Sequence, residues 1–144
     1  MRKYINQKEY SNFQINMKIT FAKEIDLEKF HMDVGLANAK IDKYVCKAFK
    51  GYEPEKIFEW NYLGPEILLK DDVKEIKAFT RIIKDKMNLI ISCINDFDGE
   101  VNFTIVYNSY NSYGAGLVVP KETISTLARI NSNVEFATYY FEKK

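Results

Sequence analysis

The sequence predicts a single α+β domain: a mostly antiparallel sheet with helices packed on one face, built from repeated β-α-β units. Three observations lead there. Residues 13–21, "FQINMKITF", alternate strictly between apolar and polar, which is the pattern of a strand with one buried and one wetter face. Residues 71–96 place Val73, Ile76, Phe79 (or Thr80), Ile83, Met87, Ile90 and Ile94 at steps of three and four, the pattern of a helical stripe. Two segments, "ITFAKEIDLEKF" (19–30) and "LVVPKETISTLA" (117–128), share one layout: apolar strand, Lys-Glu, then an amphipathic helix. A chain of 144 residues is one domain's worth, so the domain spans 1–144, with residues 1–10 expected as a loose extension.

The elements follow in order. Phe13, Ile15, Met17, Ile19 and Phe21 give the first strand its buried face, opposite Gln14, Asn16, Lys18 and Thr20. Asp26 is placed as a helix N-cap, Leu27, Phe30 and Val34 as the apolar stripe, and Gly35 as the stop. "KYVCKAF" (43–49) is expected as a strand, "KGYEPEK" as a turn, and "IFEWNYL" (57–63) as a strand closed by Gly64-Pro65. The 71–96 helix carries Asp71 and Asp72 at its N-terminus, where carboxylates suit the dipole, and Asn88 marks a break. "DFDGE" (96–100) is a turn, and "VNFTIVY" (101–107) a second alternating strand. "GLVV" (116–119) is expected as a strand, and Pro120 as the start of a helix whose apolar side is Ile124, Leu127 and Ala128. "VEFATYYF" (134–141) is the last strand.

Composition removes several function classes. Lys plus Arg is 21 and Asp plus Glu 20, a net charge of +1 without a basic block, so nucleic acid is unlikely as a partner. No apolar run approaches the ~20 residues that span a bilayer. The segment "MRKYINQKEYSNF" has no apolar stretch of the secretory kind, so no membrane role and a cytoplasmic location are expected. Cys46 and Cys93 sit among apolar neighbours with no C-x-x-C, which predicts two buried thiols, one disulfide being the alternative by count, rather than a metal site. No cofactor is expected.

His31 is the only histidine, so any Ser-His-Asp or Cys-His arrangement depends on it, and it stands at the edge of an apolar stripe as a structural residue. Asp96, Asp98 and Glu100 form an acidic turn without the twelve-residue calcium pattern. "GAG" lacks the G-x-G-x-x-G of a dinucleotide loop. Phe58, Trp60 and Tyr62 share one strand face, read as core under a helix, with Trp60 retained as a candidate contact. The stretch "YNSYNSYGAG" combines Tyr107, Tyr110, Asn111 and Tyr113 with Ser and Gly, a composition suited to a recognition loop because Tyr offers wide contact at low entropic cost, while the plainer reading is a long hairpin connection whose tyrosines lie over the sheet edge.

The chain from 13 to 141 resembles an uncharacterised bacterial family, the domain of unknown function 4279. The residues behind the likeness are "FQINMKITFAKEIDLEKFHMDVGL", Lys50-Gly51, Trp60, the helical pair, and "GLVVPKETISTLARINSNVEFATYY". The family's proline after the first helix is replaced here by "LANAKID". The resemblance implies no catalytic activity; some small domains of this kind neighbour toxin or phage genes, which makes an immunity-like role an analogy. The expected function is a non-enzymatic, cytoplasmic protein-binding module with a toxin-like partner, or a homodimer through Gln14, Asn16 and Lys18. The alternative is a small-ligand, nucleotide-binding or hydrolytic protein using Asp96, Asp98 and His31.

Overall fold

A computed structural model of the chain describes residues 11–36, 39–46, 55–110 and 116–141, with the backbone alone for 42–46 and 55. The expected extension at 1–10 and the Lys50-Gly51 loop lie outside the described residues. Those residues form strands β1 (Asn12–Phe21), β2 (Ala39–Cys46), β3 (Glu55–Leu63), β4 (Ile67–Leu68), β5 (Gly99–Tyr110) and β6 (Asn133–Phe141). The helices are α1 (Leu27–Val34), α2 (Asp72–Asp85), α3 (Met87–Asp96) and α4 (Lys121–Arg129), with a 3-10 turn at Leu69–Asp71. The α+β class holds, as one sheet in the order β2-β3-β1-β5-β6, with β4 also pairing β1.

β1 is the middle of the sheet. It pairs antiparallel with β5 over its whole length, Asn12↔Asn108 to Phe21↔Gly99, and with β3 from Asn16↔Leu63 to Phe21↔Phe58. Its alternation is realised on one face: Phe13, Ile15, Met17, Ile19 and Phe21 are each at most 2% exposed. Register makes Trp60 face Ile19, and Phe103 face Met17, so the apolar sets of β3 and β5 extend the same face. Because β2 and β1 are both antiparallel to β3, they run parallel to each other with β3 between them. β5 and β6 are direct parallel neighbours. Both β-α-β units therefore exist, one split by a strand and one not.

α1 is set by local signals. Asp26 Oδ1 accepts the Lys29 N–H at 3.1 Å, and Gly35 ends the helix at φ 73°, a left-handed conformation that glycine adopts without Cβ strain. Its stripe, Leu27, Phe30 and Val34, is buried as the spacing predicts. Phe30 sits edge-on to Phe21 at 5.5 Å and to Trp60 at 5.6 Å between ring centroids. Trp60 is fully buried, and its Nε1–H donates to His31 Nδ1 at 3.2 Å. An indole N–H in a core needs such an acceptor, which accounts for a histidine on the edge of this stripe.

Between β3 and β4 the partner strand carries one extra residue: Gly64, Pro65 and Glu66 lie opposite Gln14 and Ile15. This is a β-bulge. Gly64 N–H donates to Ile15 O at 2.9 Å, and a Cβ at Gly64 would stand 2.6 Å from that same oxygen. Only glycine lets the two backbones approach this closely.

Several elements differ from the sequence reading. The expected 71–96 helix is a 3-10 turn plus two helices, and the break falls at Lys86 rather than Asn88. The Lys86 N–H is shared among the carbonyls of Ile82, Ile83 and Lys84, so the first helix closes on itself there. "GLVV" is not a strand: residues 116–120 have no ladder partners, because β6 occupies the free side of β5. The Val118 N–H instead donates to Asp72 Oδ2 at 3.1 Å. α4 turns differently from its expected stripe. Leu127 is buried but Ile124 is 58% exposed and Ala128 is exposed, while Thr123, Thr126 and Ile130 face inward. Thr123 Oγ1 and Thr80 Oγ1 stand 2.6 Å apart, and Thr80 also donates to Ile76 O at 2.7 Å. With its own proton spent on Ile76, Thr80 accepts from Thr123. β2 begins at Ala39, earlier than expected, and residues 47–49 of the expected strand lie outside the described residues.

Two stability tests follow from these contacts. Gly64→Ala should destabilise the domain by about 1–3 kcal/mol in urea unfolding, since Ile15 O cannot move without breaking the ladder. His31→Ala should cost about 1–3 kcal/mol by leaving the Trp60 N–H unpaired, and clearly less in a Trp60→Phe background, followed by circular dichroism.

Candidate functional site

The tyrosine-rich stretch divides into two parts. Its first half is strand: β5 runs on to Tyr110, so Tyr107 and Tyr110 lie in the sheet and not in a loop. Alternation continues through "YNSY". Tyr107 faces Phe13 across the ladder on the core side, and Ser109 is buried on the same face. Asn108 and Tyr110 point to the other face, where Asn108 Nδ2 donates to Asn12 Oδ1 at 2.8 Å. The β propensity of tyrosine and the pairing with β1 together override the loop-like composition. Asn111 and Tyr113 lie outside the described residues. Trp60 is 0% exposed and has no surface to offer a partner.

Tyr110 leads to the site. Its ring stacks on Phe141 of β6, its register partner, with centroids 5.1 Å apart and planes 24° from parallel. β6 itself is an edge strand: it pairs with β5 on one side, and among the described residues no strand pairs with its other side. Five of its nine residues are large, apolar or aromatic, and exposed: Val134 47%, Phe136 64%, Tyr139 55%, Tyr140 71% and Phe141 43%. By register Val134, Phe136 and Tyr140 belong to the helix-bearing face, beside Phe103, Ile105 and Ser109. Its only charged side chain is Glu135, and it contains no proline and no lysine. Natural edges are usually blunted by such residues, so this edge is open to pairing.

α4, the crossover helix between β5 and β6, is bonded to α2. Glu122 Oε1 accepts from Lys84 Nζ of α2 at 2.7 Å, and Thr123 bonds Thr80 of the same helix. The lysine also holds the Glu122 carboxyl below the usual carboxylate range. These contacts draw α4 toward α2. At 100° per residue Ile124 stands about 160° round the helix from Glu122, on the flank away from α2, with Ala128 beside it.

The other candidate chemistry is dispersed. Asp98 sits at φ 49° in the turn after α3, and its carboxylate meets Lys23 at 3.5 Å with both side chains well exposed. Such a pair contributes at most about 1 kcal/mol. Glu100 accepts from Asn133 Nδ2 at 3.2 Å, and the turn backbone receives Ala22 and Lys23 N–H groups. His31 is committed to Trp60. Among the described residues no three His, Cys, Asp or Glu side chains stand together as metal ligands would. The open face of the sheet carries Asn16, Lys18, Asn61, Asn102, Thr104 and Glu135 around a shallow polar hollow.

Cys93 is partly exposed rather than buried, beside α1 residues Lys29 and Asp33. Burial first, then Asp96 and Asp33, push its thiol up, against an opposing effect of Lys29. The side chain of Cys46 lies outside the described residues. Among the described residues no helix is long and apolar enough to cross a membrane. Compared with known proteins, the chain matches no family model, no curated protein and no solved structure.

β6 was legible as a strand but not as an edge, because position in a sheet is a property of pairing. The available signal was composition: a strand apolar on both faces with one charge belongs either at a sheet's centre or at an interface. A raised thiol makes Cys93 a poor nucleophile at neutral pH. In a Cys46→Ser background, alkylation by iodoacetamide should be slower than that of a free cysteine at pH 7. Its rate should also keep rising at pH values where the free thiol has levelled off.

Proposed function

We propose that this protein is a non-enzymatic binding module that engages another polypeptide through the exposed edge of its sheet. The single observation that carries the reading is β6, nine residues whose outer side pairs with no strand among the described residues, with five large exposed apolar or aromatic side chains and one charge. Addition of a strand to such an edge gives affinity through main-chain hydrogen bonds and selectivity through alternate side chains. Exposed Phe136 and Tyr140 supply the aromatic anchors that dominate interface energies. The Tyr110–Phe141 stack holds one end of the edge in shape. On this reading Tyr110 acts by supporting β6.

A cytoplasmic module of this kind fits an immunity-like role, in which the partner is a toxin-like protein with a complementary strand. The likeness to the family of the domain of unknown function 4279 belongs with this proposal and adds no activity to it. Neither the acidic turn nor His31 supports the hydrolytic alternative, since each already serves the fold.

The test is selective retention. Tagged full chain is used to retain partners from a host lysate, beside Phe136→Lys and the open-face variant Lys18→Ala. A protein retained by wild type and Lys18→Ala but reduced at least about tenfold by Phe136→Lys is the expected result. Identical retention by all three would overturn the edge as the binding site.

A further inference from the structure

We infer that β6 pairs with β6 of a second copy of this chain, antiparallel about a two-fold axis at Ala137, joining two sheets into one. This rests on the reading of β6 as the binding edge, and it names the occupant. Ala137 is the middle of Asn133–Phe141, so a two-fold there pairs all nine residues. Any other axis position along the strand leaves residues overhanging.

The side chains suit that register. In an antiparallel pair, opposite residues share a face. On the helix-bearing face Phe136 meets Thr138 of the second copy, and Val134 meets Tyr140: aromatic residues opposite β-branched ones, the favourable cross-strand kind. On the open face Glu135 meets Tyr139, and the axis itself falls on alanine, the smallest side chain of the strand. Charge is compatible as well. The two Glu135 carboxylates lie four residues apart along the strand direction, ~13 Å at the usual rise, beyond the range of strong repulsion at physiological salt.

α4 distinguishes a second copy from an isolated peptide. A two-fold perpendicular to the sheet keeps both helix layers on the same side. The flank of α4 that faces away from α2, with Ile124 and Ala128, then turns toward its counterpart across the new β6 pair. Seven of the eleven large exposed apolar side chains among the described residues lie between Val118 and Phe141, on this crossover unit. A lone added strand would cover the edge and leave the Ile124 flank bare. A second copy covers both in one step.

The experiment uses the full chain at a series of concentrations in sedimentation velocity. Wild type should pass from 16.9 kDa toward twice that mass as concentration rises. Phe136→Lys and Tyr140→Lys, at positions 64% and 71% exposed, should keep the monomer's circular dichroism and stay monomeric at concentrations about tenfold higher. Ala137→Cys in a Cys46→Ser, Cys93→Ser background should give a disulfide-linked dimer on mild oxidation, because only the axial residue faces its own copy. Phe136→Cys in the same background should not. A wild type that remains monomeric, or a dimer that survives both lysine variants, overturns the second copy as occupant. The edge itself is judged separately, by whether Phe136→Lys loses partners that wild type retains.

Discussion

Everything in this fold is arranged around one strand with two full ladders. β1 is hydrogen-bonded to β5 along its whole length and to β3 and β4 on its other side. Its inward face holds two phenylalanines, two isoleucines and a methionine, all at or near zero exposure. Each such side chain contributes about 1.5–3 kcal/mol by leaving water, so this strand alone carries a stabilisation comparable to the net stability of a typical domain. The helices have little choice of position, because α1 must cover Phe21 and Trp60, and α2 must place Phe79 against Phe103. The bulge at Gly64 belongs to the same arrangement. It lets a second strand segment continue along β1 where β3 alone ends.

How far the sequence could be read depended on whether a residue's surroundings were local. β1 and α1 were legible almost to the residue, since alternation, an N-cap aspartate and a C-terminal glycine are written within a few positions of the structure they cause. "GLVV" has the composition of a strand yet forms none. Its backbone would need a free ladder, and the one available beside β5 is taken by β6, fourteen residues further on by the start of that strand. Tyr110 was misplaced for the opposite reason: loop-like neighbours concealed a strand that β1 and β6 hold from both sides. His31 was correctly read as structural, though its partner Trp60, 29 positions away, could not be named. For the candidate site the residue types were visible and their exposure was not. α4's stripe was drawn through Ile124, whereas a pair of threonine hydroxyls and one salt bridge rotate and draw the helix the other way.

That rotation links a small polar contact to the open edge. A crossover helix between parallel neighbours ordinarily lies over both strands. Here Thr80–Thr123 and Lys84–Glu122 tie α4 to α2, and its apolar contribution to the core passes through Leu127 and Ile130. The last strand is left with helix-side aromatics that nothing in the described chain covers. Stability of the core and exposure of the edge thus have a common origin in the position of one nine-residue helix.

The pairing of β1 also sets an order of events during synthesis. The strand emerges from the ribosome before either of its long partners, since the one on one side starts at Glu55 and the one on the other at Gly99. Until the second of these has been made, an apolar strand with one unsatisfied side waits in the nascent chain. Contacts of such long sequence separation slow folding and lengthen the exposure of sticky intermediates. The short helix that directly follows β1 is well placed to shield Phe21 in that interval, through Phe30, before any of the later strands exist.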